Sequence, residues 1–298
     1  MTATPNVRPA LARRYEFIEW RAYWLGRLNR KDIEDEFGIS TPQASIDINK
    51  YMEECPGNII YNSSEKTYIT SDDFTPKFAK ISADRVLLHI RSILSGALDI
   101  TDTWFPDLPP TATIPPITRS VDPTCLRTML AAIRDNLEVE VEYQSLTNTR
   151  RRYIAPHSLA FDGHRWHVRA WAADKGDFRD FVLARIREIG GTRPSKARPE
   201  DDLEWSTMVT LDLVAHPDLD DAQKSAIECD FGMKDGRLRL ETRLALAFYQ
   251  IKRLNLDLDS SVIRPERKQL YLTNLNEINA KREAVCSATK ERKAAQMP

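Results

Sequence analysis

The chain has 298 residues, 42% apolar and 29% charged, with 43 Lys and Arg against 44 Asp and Glu and a net charge of −1. That length exceeds one small core and predicts two or three domains; the near-neutral balance gives no global sign of nucleic-acid binding, so any such activity must come from local patches. No run of about 18 apolar residues is present to span a membrane, and MTATPNVRPALARRYEF lacks an apolar stretch with a small-residue cleavage site, so a cytoplasmic location is expected.

Residues 1 to about 97 read mainly as helices. Within them, Asn29 can cap a helix from Arg30 to Phe37, with Gly38 placed where a left-handed residue ends it. The next helix then starts with Thr41 as N-cap and Pro42 as its first residue. On it Ala44, Ile48, Tyr51 and Met52 share a face able to pack on Ile33 and Phe37, and the opposite face carries Gln43, Ser45, Ile46, Asn49 and Lys50. Short polar side chains near a helix start suit base edges in a major groove, because Asn and Gln can bond adenine and a compact apolar group can touch a thymine methyl. The reading is a helix-turn-helix with Thr41 at the start of its recognition helix; the plainer alternative is a three-helix unit for protein contacts.

Two β-rich runs around a polar turn, Asn58 to Thr70, resemble a wing with Lys66 at its tip. Asp and Glu outnumber Lys and Arg between Met1 and Asp73, so phosphate contacts fall to Arg27, Arg30, Lys31, Lys50 and Lys66, and to a second copy in a dimer.

From Trp104 to Pro123, six prolines suit an extended linker and forbid a helix. Asp122 and Pro123 then open an amphipathic helix through Leu126, Met129, Leu130 and Ile133, followed by strand-like segments from Val139 to Arg187. One of these, HRWHVRAW (His164 to Trp171), places Trp166, Val168 and Ala170 on one face and Arg165, His167 and Arg169 on the other. Cations about 7 Å apart along a strand repel incompletely screened, so an anion is expected opposite them. For the strand alone, that means a solvated face with Asp or Glu partners from the next strand.

A polar break from Gly190 to Asp202 precedes a mixed α+β portion: a strand in TMVTLDLVAH, a helix from Leu219 to Cys229, a strand from Arg237 to Glu241 and a helix in ETRLALAFYQIKRLNL. The tail from Ala280 is polar and helical in pattern. Cys55, Cys125, Cys229 and Cys286 form no CxxC pair, which argues against a zinc ribbon or a disulfide framework and predicts reduced, buried thiols. His164 and His167 have a ligand-like spacing, but no carboxylate or cysteine cluster completes a site, so no metal or other cofactor is expected.

At Tyr143 and Ser145 of YQS, the APHSL turn with His157, RWHVRAW, and FRDFVLARI with Arg179, Phe181 and Arg185, the sequence resembles the WYL-domain transcriptional regulators. Their Trp-Tyr-Leu strand appears here as Trp166-His167-Val168. The resemblance covers most of the chain and is closest to regulators of bacterial phage-defence operons, the BrxR/CapW-like members. It implies an α+β multidomain chain: a winged helix-turn-helix DNA-binding domain (1–100), a proline-rich linker (101–121), a small Sm/SH3-like WYL ligand-sensing β-barrel (122–192), a small α+β C-terminal extension for dimerisation (203–280) and a polar tail (281–298). His167 in place of the family tyrosine removes a stacking ring and adds a pH-sensitive donor.

The resemblance further implies a nucleotide or nucleic-acid fragment bound in the barrel that alters DNA binding. With it, Tyr143, Ser145, His157, Arg165, His167, Arg169, Arg179 and Arg185 become candidates for one cationic pocket, since guanidinium groups bond phosphate bidentately. Ala215-His216-Pro217 and the Tyr249 helix are candidate dimer contacts. The function expected is a homodimeric repressor of a phage-defence operon that reads an inverted-repeat operator in double-stranded DNA under control of that effector. The alternative is an accessory protein whose basic barrel grips single strands without operator specificity. An enzyme is disfavoured, because no phosphate-cradling glycine loop, metal cluster or nucleophile beside a base is recognisable.

Overall fold

The computed structural model describes residues 8–115, 117, 119–259 and 262–296; the first seven residues, Pro116 and Thr118 of the linker, Ser260, Ser261 and the last two residues of the tail lie outside the described residues. The chain divides into two compact units, Met1–Ile117 and Thr118–Pro298.

The first unit opens with α1 (Pro9–Leu25), which starts on proline, where a missing N–H costs nothing, and stops at Gly26 in the left-handed region (φ 72°). A short strand β1 (Arg27–Leu28) leads into α2 (Arg30–Phe37) and α3 (Thr41–Glu54). Asn29 and Asp32 form the capping box of α2, and Gly38 ends it at φ 60°. The cap of α3 is Ser40, whose hydroxyl accepts from the Gln43 N–H, so Thr41 is the first helical residue and Pro42 the second. The expected cap was one residue too late because Ser40 and Thr41 are both good caps and only the backbone turn distinguishes them.

Strands β2 (Ile59–Asn62) and β3 (Thr67–Thr70) form a hairpin, and β1 adds to its other side in the order β1-β3-β2. The core gathers Tyr15, Phe17, Ile18 and Ala22 of α1, Ile33 of α2, and Ala44, Ile48 and Tyr51 of α3. Helix α4 (Ala83–Leu94) follows, with none of its residues buried. The start of the expected linker is structured: Trp104 meets Phe17 edge-on at 5.5 Å and Phe105 meets Trp20 at 4.9 Å.

In the second unit α5 (Pro123–Asp135) is capped by Asp122, whose Oδ1 accepts from the Cys125 N–H at 2.8 Å. Five strands follow: β4 (Leu137–Gln144), β5 (Thr149–Phe161), β6 (Trp166–Ala172), β7 (Asp177–Val182) and β8 (Ile186–Pro194). They form one antiparallel sheet in the order β7-β6-β5-β4-β8. Among the described residues no pairing joins β7 to β8, so the sheet is not a closed hydrogen-bonded barrel. Its apolar face packs Val139, Val141, Ile154, Val168 and Ala170 against Met129 and Ala132 of α5.

The chain continues through α6 (Leu203–Ser206), β9 (Met208–Ala215), α7 (Asp221–Asp230), β10 (Leu238–Arg243), α8 (Leu244–Arg253), α9 (Pro265–Lys268), β11 (Leu270–Leu272) and α10 (Leu275–Gln296). Strands β10-β9-β11 make a second antiparallel sheet with its own core around Leu211, Leu213, Ala247 and Ile251. Cys55 and Cys125 are buried thiols as expected, but Cys229, in the last turn of α7, is exposed and Cys286, midway along α10, is partly so. Among the described residues no helix is long and apolar enough to cross a membrane.

Candidate functional site

On α3 the buried stripe leaves Ser45, Ile46, Asn49 and Lys50 on the outer side, with Ile46 47% exposed. Gln43 is less free: its Nε2 donates to Asp47 Oδ1 at 2.9 Å, and Asp47, itself buried, is held by Arg14 Nε at 2.6 Å. Thr41 Oγ1 donates to Glu34 Oε2 at 3.0 Å, tying α3 back to α2. Arg27, Arg30 and Lys31 are exposed at β1 and the start of α2. Lys66 closes the β2–β3 turn at φ 53°, and Asn62 Oδ1 accepts from the N–H groups of Ser64 and Glu65 to hold that turn. This side of the unit thus presents two polar side chains, an isoleucine and several cations without an ion-pair partner among the described residues, over a firmly packed scaffold.

The framework beneath rests on a residue that the sequence pattern did not single out. Glu19 of α1 is fully buried and accepts from the N–H groups of Lys77, Phe78 and Ala79 at 2.6–2.8 Å, and from the Tyr51 hydroxyl at 3.3 Å. Burial, then the nearby Glu19 and Cys55, push the Tyr51 hydroxyl well above its usual range although Asn58 donates to it.

In the second unit the cationic row of β6 is covered. Arg169 Nε and Nη2 contact Asp202 Oδ2 and Oδ1 at 2.7 and 3.0 Å, Nη2 also reaches Glu204 Oε2 at 3.0 Å, and Nη1 lies 3.5 Å from Asp180 Oδ1. His157 Nε2 is 3.0 Å from the same Asp202, and the Tyr249 hydroxyl of α8 donates to Asp180 Oδ2 at 2.9 Å. His167 Nε2 bonds Asp162 Oδ2 at 2.8 Å, beside Arg165 Nε at 3.1 Å, while His167 Nδ1 is buried without a partner among the described residues. Burial works against ionising Asp202, but hydrogen bonds from His157 and Arg169 outweigh it and bring its carboxyl down to about 2. At Asp162 the bonds from His167 and from the N–H groups of His164 and Arg165 likewise outweigh burial and hold the carboxyl below its usual range.

Both faces of β6 are therefore enclosed, one by the apolar core and one by this network. Asp180 is the carboxylate of the neighbouring strand that strand chemistry calls for, directly opposite Arg169 in register. Trp166, expected in the core, is 49% exposed, because it stands at the strand end and pairs with Phe161 at 5.1 Å rather than with α5.

The remaining candidates lie elsewhere on the sheet. Tyr143 is buried against Phe181, and its hydroxyl accepts from the Val182 N–H at 3.2 Å. Ser145 fastens the β4–β5 turn, its Oγ accepting from the Asn148 N–H at 2.9 Å. Arg179 and Arg185 make no ion pair among the described residues. Beside Tyr143 sits an arginine that the motif reading passed over: Arg152, 5.7 Å from that ring, with a buried Nε lacking a partner and Asp174 at 3.7 Å, shared with Arg150. Burial lowers its proton affinity below the ordinary arginine value. Of the eight candidates, His157, Arg165, His167 and Arg169 belong to the ion network, Tyr143 and Arg179 lie near Arg152, and Ser145 and Arg185 stand apart, in the β4–β5 turn and after β7.

Family models match in three segments: the BrxR transcriptional regulator winged helix-turn-helix domain over residues 10–92, the WYL domain over 124–190 and the BrxR C-terminal dimerization domain over 208–278. A protein of Escherichia coli named DNA-binding transcriptional repressor CapW is 38% identical over 270 residues, covering 90% of each chain. The chain belongs to the BrxR/CapW family of WYL-domain transcriptional regulators. Other CapW repressors are similar to it at 37% over 277 residues in Pseudomonas aeruginosa (89% of this chain, 90% of that one) and 32% over 282 residues in Stenotrophomonas maltophilia (93% and 94%).

The BrxR/CapW family is one of transcriptional repressors, not of enzymes. In this BrxR/CapW chain the C-terminal dimerization match spans β9 to the first turn of α10. Of the two dimer candidates read from the sequence there, His216 is 1% exposed, and Tyr249 is spent on Asp180 and on the His167 ring at 5.1 Å.

Proposed function

We propose that this chain is a homodimeric transcriptional repressor that reads an inverted-repeat operator in double-stranded DNA and controls a phage-defence operon. The observation that carries the reading is likeness over 90% of both chains to a relative named as a DNA-binding transcriptional repressor. The dimerization-domain match supports a second copy. Helix α3 enters the major groove with Ser45, Ile46 and Asn49 toward base edges, while Lys50, Arg27, Arg30, Lys31 and Lys66 take phosphates. Thr41 and Gln43 exchange their present carboxylate partners for DNA or position α3 through them. Two-fold symmetry then sets half-sites about 34 Å, or a multiple, apart.

The effector is an anionic nucleotide or nucleic-acid fragment, and the end of the five-stranded sheet at Tyr143, Ser145, Arg152, Arg179 and Arg185 is where it binds. Support comes from Arg179 and Arg185, which have no carboxylate partner among the described residues, and from the buried Arg152 Nε, which has no hydrogen-bond partner among them. The strand order, with the last strand beside the first, supports a small Sm/SH3-like barrel around it. His157, His167 and Arg169 serve the same response by tying the sheet to α6 and α8, with Arg165 holding Asp162 beside His167, so that a ligand-dependent shift of the sheet reaches the C-terminal portion and changes the population able to bind DNA.

Selection from a randomised duplex library tests the reading. An inverted repeat is expected, and Asn49→Ala with Lys50→Ala is expected to weaken its binding at least tenfold while leaving the thermal midpoint unchanged. Failure to select any symmetric motif rejects operator reading. A rise in melting temperature with short oligonucleotides, lost in Arg179→Ala, tests the effector site.

A further inference from the structure

Helix α4 is an amphipathic helix whose outer side is uncovered among the described residues. Its twelve residues include none that is buried, and Leu87 and Leu88 are 63% and 51% exposed. Val86, Ile90 and Ile93 form the more sheltered side. The exposed side is centred on Asp84, Leu87, Leu88 and Arg91, the i, i+3, i+4, i+7 spacing of one helical stripe. Neither Asp84 nor Arg91 makes an ion pair among the described residues.

The order along this stripe is acid, leucine, leucine, base, which is complementary to itself when reversed. Two copies of α4 laid antiparallel about a two-fold axis between Leu87 and Leu88 would set each Leu87 against the other copy's Leu88, and each Asp84 against the other copy's Arg91. The helix dipoles also oppose favourably in that arrangement. A parallel pairing would face like charge with like. We propose that the Asp84–Arg91 stripe of α4 is a self-association surface, occupied in the dimer by α4 of a second copy in antiparallel register. A single helix pair buries far less than the roughly 1,600 Å² of a stable interface, so the contact acts as an accessory to a dimer held elsewhere, where tethering raises the effective concentration. The inference rests on the homodimer proposed above and adds a contact within the first unit.

Site-directed disulfide formation in the full chain tests it, in a background carrying Cys229→Ser and Cys286→Ser. Leu87→Cys lies next to the two-fold axis and is expected to cross-link two chains under mild oxidation. Asp84→Cys combined with Arg91→Cys is also expected to cross-link. Asp84→Cys alone is expected not to, because its two copies sit about 10 Å apart along the helices, at seven rises of ~1.5 Å, beyond disulfide reach. Reversing one charge with Asp84→Arg in the Leu87→Cys chain should slow cross-linking about two- to fivefold, and adding Arg91→Asp should restore it. A chain that sediments as a dimer yet gives no Leu87→Cys cross-link overturns the α4 pairing and leaves the dimer reading intact. A monomer overturns both, and cross-linking by Asp84→Cys alone overturns the antiparallel register.

Discussion

Arg169 on β6 and Asp202 at the start of α6 are joined at two points, Nε to Oδ2 at 2.7 Å and Nη2 to Oδ1 at 3.0 Å, with both side chains at most 5% exposed. The guanidinium faces three carboxylates, those of Asp180, Asp202 and Glu204, and His157 shares Asp202. Removing one member leaves its partners charged and dry. Asp202→Ala is expected to destabilise the second unit by about 3–5 kcal/mol, measured by chemical denaturation. A loss under about 1 kcal/mol would mean that water reaches Arg169 readily.

The same pair predicts an acid response. The folded-state value of Asp202 is depressed to about 2, so its stabilisation is fully present above the unfolded value near 3.9 and disappears as pH falls through that window toward 2. Asp162 shifts in the same direction. Denaturation midpoints followed downward from pH 5 should lose roughly 2 kcal/mol from Asp202 alone, and Asp202→Asn should flatten that part of the curve.

How much of this was legible depends on sequence distance. The bounds of α2 follow from Asn29, Asp32 and Gly38, all within the helix or next to it, so local capping rules place them well. Asp180 was within reach too, since the turn between β6 and β7 fixes the register that sets it opposite Arg169. Asp202 and Glu204 were not, because they lie over thirty residues from Arg169 beyond a polar break that reads as linker. Without them, alternation shows a charged face but not whether a ligand or the chain itself neutralises it. Glu19 was hidden for a related reason: a lone acid in an otherwise apolar helical stripe gives no hint that three backbone N–H groups nearly sixty residues away converge on it.

Glu19 therefore makes a sharp prediction. Glu19→Ala removes the acceptor of the part-buried N–H groups of Lys77, Phe78 and Ala79 and of the buried Tyr51 hydroxyl. At about 1–3 kcal/mol for each buried group left unpaired, the first unit should lose at least roughly 3 kcal/mol. Glu19→Gln keeps one oxygen acceptor and should lose less. Urea unfolding followed by tryptophan fluorescence, with Trp20 and Trp104 as reporters in this unit, separates the two. Equal losses would show that the carboxylate charge, not its acceptor capacity, is what the backbone requires.

The α3 and wing residues divide by the kind of contact proposed for them, and salt concentration tells those kinds apart. Lys50 and Lys66 are assigned to phosphates, so Lys50→Ala and Lys66→Ala should each reduce the slope of log affinity against log salt by about 1 and weaken all operator sequences alike. Asn49 is assigned to a base edge; Asn49→Ala should leave that slope unchanged, cost about 1–3 kcal/mol on the selected operator, and relax preference at one base pair in each half-site. Gln43→Ala stands between these, since Gln43 Nε2 already bonds Asp47 in the free chain and must give up that bond to reach DNA. Its effect on affinity should therefore be smaller than that of Asn49→Ala. A slope change at Asn49 with none at Lys50 would exchange their roles and rotate α3 about its axis relative to the groove.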